Sequence, residues 1–354
     1  MNKLPLVTMA FGIKRTFIKR DVALLSSMEC RLQLIQANPR KDWLRFLFNK
    51  TRELFMCLWF VPQSKWVISW FNDYHCFFLI LFAKIFKVKS LIIVGGYDAV
   101  CNTTIDYGLF SKANLRQQIA RWNYNHCSEI WVVHQSLAYG CPISNQQKHI
   151  TSGIKTFLPD LRTPIVEVPT VYDSTFWKSS GEEKDSIVLT VGIINDKRTY
   201  DVKGIDVFLE LAKKMESYQF IIVGISQQLI HLLRPHQLKN LEFHPTCTQD
   251  KLRKFYQKSQ FYFQGSTHEG HPNVLCEAML CECIPIGRRV FGIPDIIGST
   301  GYLFDCSKHL EPMMAFIHSA DSSLGIQSRN RIMNQYPITK RVDAFHAFFQ
   351  SSNN

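Results

Sequence analysis

The 354-residue chain lacks an apolar stretch long enough to cross a bilayer. Its most apolar run, Cys76-Phe77-Phe78-Leu79-Ile80-Leu81-Phe82-Ala83, is stopped by His75 and Lys84, well short of the roughly 20 residues that a spanning helix requires. That run reads as a buried helix. A cleavable secretory leader is not expected, because Lys14, Arg15, Lys19, Arg20 and Asp21 break up the start of the chain before an adequate apolar segment develops. Paired C-x-x-C motifs are missing. The eleven cysteines are odd in number and irregular in spacing, which reads as reduced thiols in a cytoplasm rather than a disulfide framework. Cys276, Cys281 and Cys283 cluster, but the first two stand five apart on a predicted helix and do not form a zinc pattern. No Walker loop, G-x-S-x-G or G-x-G-x-x-G occurs, so triphosphatase, hydrolase and nicotinamide readings lose their support. His268-Glu269-Gly270-His271 is not the H-E-x-x-H of a zinc helix, and a proline follows it.

Charge of one sign is scarce at the start. Residues 1–90 hold 15 Lys and Arg against 5 Asp and Glu, a balance of +10 within the formal +12 of the whole chain. Such a one-sided surface suits anionic lipid, nucleic acid or a polyanionic acceptor on charge alone. The segment from Arg40 and Lys41 through Trp43, Arg45, Phe46, Phe48, Lys50 and Phe55 to Trp59 and Phe60 mixes cations with aromatics, as an interfacial amphipathic helix does. A core helix with a basic outer face is the competing reading, and both stay open. No nucleic-acid-binding motif accompanies the aromatics, so an anionic membrane surface is the favoured partner and nucleic acid is not.

A chain of this length and 46% hydrophobic content accommodates two domains. Short apolar strand candidates at Leu6 to Ala10, Arg31 to Ile35, Trp66 to Trp70, Ser90 to Gly95 and Glu129 to His134 alternate with helical patterns. That order predicts a parallel sheet with helices on both faces. A polar, proline-containing passage follows, and the hinge is expected between Ser174 and Lys184. A second series starts with Ile187 to Gly192 and continues through a helix with Ile205, Phe208, Leu209, Ala212 and Met215 at core spacing. Phe220 to Gly224, Leu241 to Phe243 and Gln260 to Gln264 extend this second sheet. The expected fold is α/β, two Rossmann-like doubly wound parallel-sheet domains facing across a cleft, over residues 1–175 and 176–335. A last helix in 336–354 has Val342, Phe345, His346 and Phe349 on one face.

The most informative stretch is His268-Glu269-Gly270-His271-Pro272-Asn273-Val274-Leu275-Cys276-Glu277-Ala278-Met279. Gly270 and Pro272 prevent regular helix at the first carboxylate, while Val274, Leu275, Ala278 and Met279 have the spacing of a buried helical face. A loop therefore presents Glu269 and a helix presents Glu277. The free N–H groups of the helix start between them suit a phosphate. Taken alone, the spacing favours solvated surface charges around an ordinary cap for both glutamates.

This segment, E-G-x-P-N-x-L-x-E-A-M, is followed by Gly292-Ile293-Pro294-Asp295-Ile296-Ile297-Gly298, read here as a Gly-Pro turn. Together they resemble the donor-binding half of retaining glycosyltransferases of family 4, which have the GT-B fold. The resemblance implies that Glu277 binds ribose hydroxyls and that Glu269, with the backbone of Gly270, His271, Pro272, Asn273 and Val274, meets the donor sugar. It implies a phosphate contact for Lys203 of Lys203-Gly204, after a loop from Ile193 to Val202, and a last helix that crosses back to the first domain. The family's arginine after the Val-Gly of that strand is Ile193 here, which leaves Lys197 or Arg198 to reach the diphosphate. The family's acceptor-side histidine is also missing. Asp98, after the strand ending at Val94-Gly95-Gly96, is the nearest polar candidate for taking the acceptor proton, and capping its own turn is the bland alternative. Asn72-Asp73 is a second such candidate, and Lys14, Arg15 and Thr16 could contact a phosphate.

These readings imply transfer of a sugar from a nucleotide-diphosphate donor to a lipid-linked or saccharide acceptor with retention, in surface polysaccharide or glycolipid synthesis. With no D-x-D motif, metal independence is expected and no cofactor is implied. The expected setting is cytoplasmic, peripheral on the membrane's cytoplasmic face. Competing readings are a non-catalytic GT-B binding partner and a related epimerase or phosphorylase.

Overall fold

The computed structural model describes residues 4–37, 42–142, 149–233, 238–305 and 310–351. The chain divides into two compact units, Met1–Thr170 with Thr339–Asn354, and Val171–Ile338. Arg40 and Lys41, named above for an amphipathic helix, lie outside the described residues.

In unit 1 the main elements are β1 (Leu6–Phe11), α1 (Thr16–Ser27), β2 (Arg31–Gln36), α2 (Trp43–Phe60), β3 (Ser64–Trp70), α3 (Cys76–Ile85), β4 (Lys89–Val94), β5 (Val100–Asn102), α4 (Leu115–His126), β6 (Glu129–Val132), β7 (Ile150–Ser152) and β8 (Ile165–Glu167). Six strands form a parallel sheet in the order β2-β1-β3-β4-β6-β8, and β5 pairs antiparallel with β7. A parallel strand covered on both faces needs a continuous apolar run. Leu91 to Val94 of β4 supply one and are fully buried. The helix expected from Cys76 forms as α3, with Cys76, Leu79, Ile80 and Ala83 buried.

Unit 2 repeats the plan with β9 (Asp185–Ile194), α5 (Lys197–Lys203), α6 (Ile205–Lys214), β10 (Gln219–Ile225), β11 (Leu241–His244), β12 (Ser259–Gln264), α7 (Asn273–Leu280), β13 (Ile284–Arg288), β14 (Tyr302–Phe304) and α8 (Ser323–Gln335). The parallel order is β11-β10-β9-β12-β13-β14. Ile205, Phe208, Leu211 and Ala212 of α6 sink into the core, where the Phe208 ring meets Phe220 at 5.2 Å and Phe263 at 5.5 Å.

Two segments differ from the sequence reading. Lys197 to Lys203 is helix rather than loop, because the Asp196 side chain accepts from Thr199 N while the Thr199 hydroxyl accepts from Asp196 N, a capping box. Ile293–Ile297 is a short helix rather than a turn. Pro294 sits in its first turn, where a missing N–H costs nothing.

From Thr339 onward, α9 (Ile338–Gln350) belongs to unit 1. Its buried stripe is Arg341, Phe345 and Phe348, and His346 is exposed, so the face is rotated from the expected one. Arg341 is fully buried because its charge is answered. Its Nε donates to Asp21 Oδ1 at 2.9 Å, and Nη1 donates to the carbonyls of Val168 at 2.8 Å and Pro169 at 3.2 Å. Trp70 Nε1 donates to the other Asp21 oxygen at 2.7 Å. Lys89 anchors the end of α9 by donating to the Phe348 and Ser351 carbonyls at 2.7 and 2.9 Å.

Candidate functional site

In unit 2 the loop after β12 and the junction of α5 with α6 meet backbone to backbone. Gly204 adopts φ +65, and a Cβ there would stand 2.3 Å from the Gly265 carbonyl oxygen. Only glycine permits that conformation together with that approach. Thr267 N donates to the Val202 carbonyl at 2.8 Å and pins the contact. Lys203, the last residue of α5, is thereby set beside Glu269, and the two form an ion pair in which each side chain is 22% exposed. The lysine stem runs past Gly192 on β9.

Behind the pair runs a hydrogen-bonded file. Tyr262 Oη donates to Gln264 Oε1 at 3.1 Å, Gln264 Nε2 donates to Ser266 Oγ at 2.7 Å, and Ser266 Oγ donates to Glu269 Oε1 at 3.5 Å. Burial raises the Tyr262 phenol well above its ordinary value, and the charges of Glu269 and Glu277 add to the rise. Tyr262 therefore stays a neutral donor. Glu277, on α7, is 4% exposed and turned inward near Tyr256 and Tyr262. Its carboxylate and that of Glu269 serve different surroundings, the first sunk on a helix, the second paired on a loop.

The residues between them are enclosed. Gly270, His271 and Pro272 are buried, and Asn273 and Val274 are half-buried at the start of α7. Asn273 Oδ1 is buried with no hydrogen-bond partner among the described residues. His271 Nδ1 lies 2.9 Å from Tyr172 Oη, and its ring packs edge-on against Tyr336 at 4.6 Å. His268 is held neutral: burial, then the Arg288 charge, lowers it from 6.5 to about 4.

Lys197 and Arg198 stand apart from this group. Both are exposed on the first turn of α5, where Lys197 pairs with Asp201 and lies 5.0 Å from the Tyr200 ring centroid. Ile193, at the position where the family's arginine is missing, is 44% exposed.

In unit 1 the turn after β4 folds its carboxylate inward. Asp98 is fully buried and accepts from the backbone N–H groups of Asn72 at 3.0 Å, Gly95 at 3.2 Å and Gly96 at 3.0 Å. Burial raises it to about 6 although those donors pull the other way. Its geometry is that of a brace for the Gly95-Gly96 turn. Asp73 is presented instead. It accepts from Arg116 Nε at 2.7 Å, and Arg116 Nη1 donates to Tyr97 Oη at 3.0 Å. Burial pushes Asp73 up, but the Arg116 hydrogen bond and charge outweigh it and hold the carboxyl below its usual value. Asp73, Arg116 and Tyr97 share with Arg15, Lys50 and Glu53 a cavity of about 480 Å³ at the C-terminal ends of the strands, where parallel sheets bind ligands. Arg116 was missed in the sequence. It sits in α4 rather than at a strand end, and only the fold brings it to Asp73.

Among the described residues, no group of three or more His, Cys, Asp or Glu could hold a metal ion, and no helix is long and apolar enough to cross a membrane. The ten described cysteines are free thiols.

Residues 173–317 match the family model described as glycosyl transferases group 1. No curated protein matches the chain. Among solved structures, the chain is similar to sucrose-phosphate synthase from Thermosynechococcus elongatus, with a TM-score of 0.73 and 13% identity over 98% of each chain. It is similar to HepE of Anabaena in complex with UDP and glucose, with a TM-score of 0.66 and 12% identity over 97% of this chain and 99% of that one. It is also similar to TarM, with a TM-score of 0.63 and 15% identity over 86% of this chain, but spans only 58% of the TarM chain. At these identities the likeness is one of fold. The chain therefore has the GT-B fold, and its second unit carries a glycosyl transferases group 1 domain.

Proposed function

We propose that the protein transfers a sugar, a hexose in the simplest case, from a nucleotide-diphosphate donor to a lipid-linked or saccharide acceptor with retention at the anomeric carbon. The observation that carries this reading is the Lys203–Glu269 pair, held at a Gly204–Gly265 contact and followed at once by the start of α7. In such a transfer, positive charge develops on the sugar and negative charge on the leaving diphosphate. Lys203 moves from Glu269 to the diphosphate when the donor binds, and the N–H groups of Asn273 and Val274 at the start of α7 assist it. Glu269, released from the lysine, faces the sugar. Glu277 takes the ribose hydroxyls, and the buried oxygen of Asn273 accepts from a donor hydroxyl. Arg198, with Lys197 beside it, supplies the outer phosphate contacts in place of the arginine that Ile193 displaces.

HepE, similar in fold, was solved with UDP and glucose, which supports a nucleotide-sugar donor. On the acceptor side Asp73, rather than the inward Asp98, faces the cavity and is our candidate for orienting the acceptor. The reaction runs without a metal, at the cytoplasmic face of a membrane, in the assembly of a surface polysaccharide or glycolipid by a family 4 type of enzyme.

The test is nucleotide release from a panel of nucleoside diphosphate sugars, with and without chelator. We expect release that chelator does not change, and a fall of about a hundredfold or more in Lys203→Ala and Glu269→Ala. Unchanged turnover in both variants refutes the site. The exposed Ile193 favours one competing reading, a binding protein without turnover. That protein holds a nucleoside diphosphate in calorimetry but releases none from any donor.

A further inference from the structure

Helix α2 sinks Cys57 into the core and packs Met56 against it, but carries most of its large apolar residues outward. Trp43, Leu44, Phe48, Phe55 and Trp59 are 61–71% exposed, with Leu47 at 49% and Leu58 at 44%. Leu44, Phe48, Phe55 and Trp59 fall on one stripe of a 3.6-residue helix. The opposite face lines the cavity with Phe46 and three polar residues, Asn49, Lys50 and Glu53, and Glu53 is 3% exposed and paired with Lys50. A water-facing helix of a globular protein has the reverse arrangement. An exposed apolar stripe of this length marks contact with something other than water.

The charges choose among partners. The only acidic residue of α2, Glu53, is turned inward, whereas Arg45 and Arg52 are exposed beside the stripe. The end of α3, packed on α2 through Leu79 and Ala83 against Cys57, adds exposed Ile85 and Phe86 between exposed Lys84 and Lys87. Apolar side chains flanked by cations match a lipid surface, which offers apolar depth beneath diffuse negative charge. A second copy of this face would bring the same cations against one another.

We propose that α2 docks unit 1 flat on an anionic lipid surface, with Leu44, Phe48, Phe55 and Trp59 in the headgroup–acyl boundary and Arg45 and Arg52 among the lipid phosphates. The polar reverse of the same helix is a wall of the Asp73–Arg116 cavity, so a docked protein holds that cavity within one helix diameter of the lipid, about 10 Å. An acceptor carried on a lipid then reaches it without leaving the membrane. That last consequence rests on the transfer reading above, and the docking does not.

The experiment is flotation of the full chain with phosphatidylcholine vesicles, with and without phosphatidylglycerol. We expect binding to the anionic vesicles at about 0.1 M salt, weaker binding at about 1 M, and little binding to phosphatidylcholine alone. The double variant Phe48→Ser/Trp59→Ser lowers the partition coefficient at least about tenfold at an unchanged melting temperature. Leu232→Ser, which removes a 71% exposed side chain from unit 2, has no effect. Absence of binding, equal binding by the double variant, or a dimer that the double variant dissolves overturns the proposal. A chain that floats but turns over no nucleotide sugar refutes the transfer reading and leaves the docking standing. One that transfers sugar yet ignores vesicles does the opposite.

Discussion

Both units end a parallel strand in glycine and then a carboxylate, and they use the carboxylate in opposite ways. After β4, Gly95-Gly96-Tyr97-Asp98 turns the acid inward onto three backbone N–H groups and leaves it fully buried. After β12, Gly265 to Glu269 brings the acid to a lysine from another element and leaves both partly exposed. The same contrast holds for cations. Unit 1 buries Arg341 completely against Asp21, whereas unit 2 holds Lys203 where a ligand can reach it. A carboxylate spent on its own backbone stabilises a turn, and one paired across two elements can exchange its partner for a substrate.

Breaking the comparison at its strongest point means removing a buried charge. Arg341→Met leaves Asp21 charged and uncompensated, and we expect about 3–5 kcal/mol of lost stability in urea unfolding, much of it recovered in Arg341→Met/Asp21→Asn. A smaller and opposite pair of effects appears with pH. His268 is lowered to about 4, so its contribution to unit 2 is complete above 6.5 and is lost as pH falls from 6.5 to 4, by on the order of 3 kcal/mol. Asp98 is raised to about 6, so its contribution to unit 1 is complete below 3.8 and is lost as pH rises through 6. Asp73, lowered by Arg116, opposes the Asp98 trend within unit 1, so the two signs are read from differences between wild type and His268→Gln or Asp98→Asn. Equal pH slopes in wild type and both variants contradict the assignment. The smallest effects belong to the exposed cations. We expect Arg198→Ala to weaken donor binding roughly tenfold and Lys197→Ala roughly twofold, with stability changed by less than about 0.5 kcal/mol because the Lys197–Asp201 pair is solvent-screened. No change in donor affinity from either removes the outer phosphate contacts from the account.

Strand positions were legible because a buried parallel strand is a continuous apolar run: Leu6 to Ala10 became β1, and Phe220 to Gly224 lies within β10. Helix α5 was not read, since its start is written in Asp196 and Thr199 rather than in apolar spacing. The buried face of α9 was misjudged for a related reason. Arg341 counts as polar in any pattern, and only Asp21, distant in sequence, makes its burial possible. In the candidate site, Glu269 and Lys203 were legible from local motifs, and the structure pairs them. The inward turn of Asp98 was not, because the strand-glycine-acid signal is the same whether the acid faces the backbone or a ligand. The outward aromatics of α2 were half legible. Their spacing is in the sequence, but the direction they face depends on what α3 and the cavity occupy.

The most direct measurement sets Glu269→Gln beside Asp98→Asn, recording for each the rate of nucleotide release per folded molecule and the urea midpoint. The account predicts that Glu269→Gln loses about a hundredfold in rate and little in midpoint, while Asp98→Asn loses midpoint and keeps its rate. Loss of rate in Asp98→Asn with full activity in Glu269→Gln would contradict it.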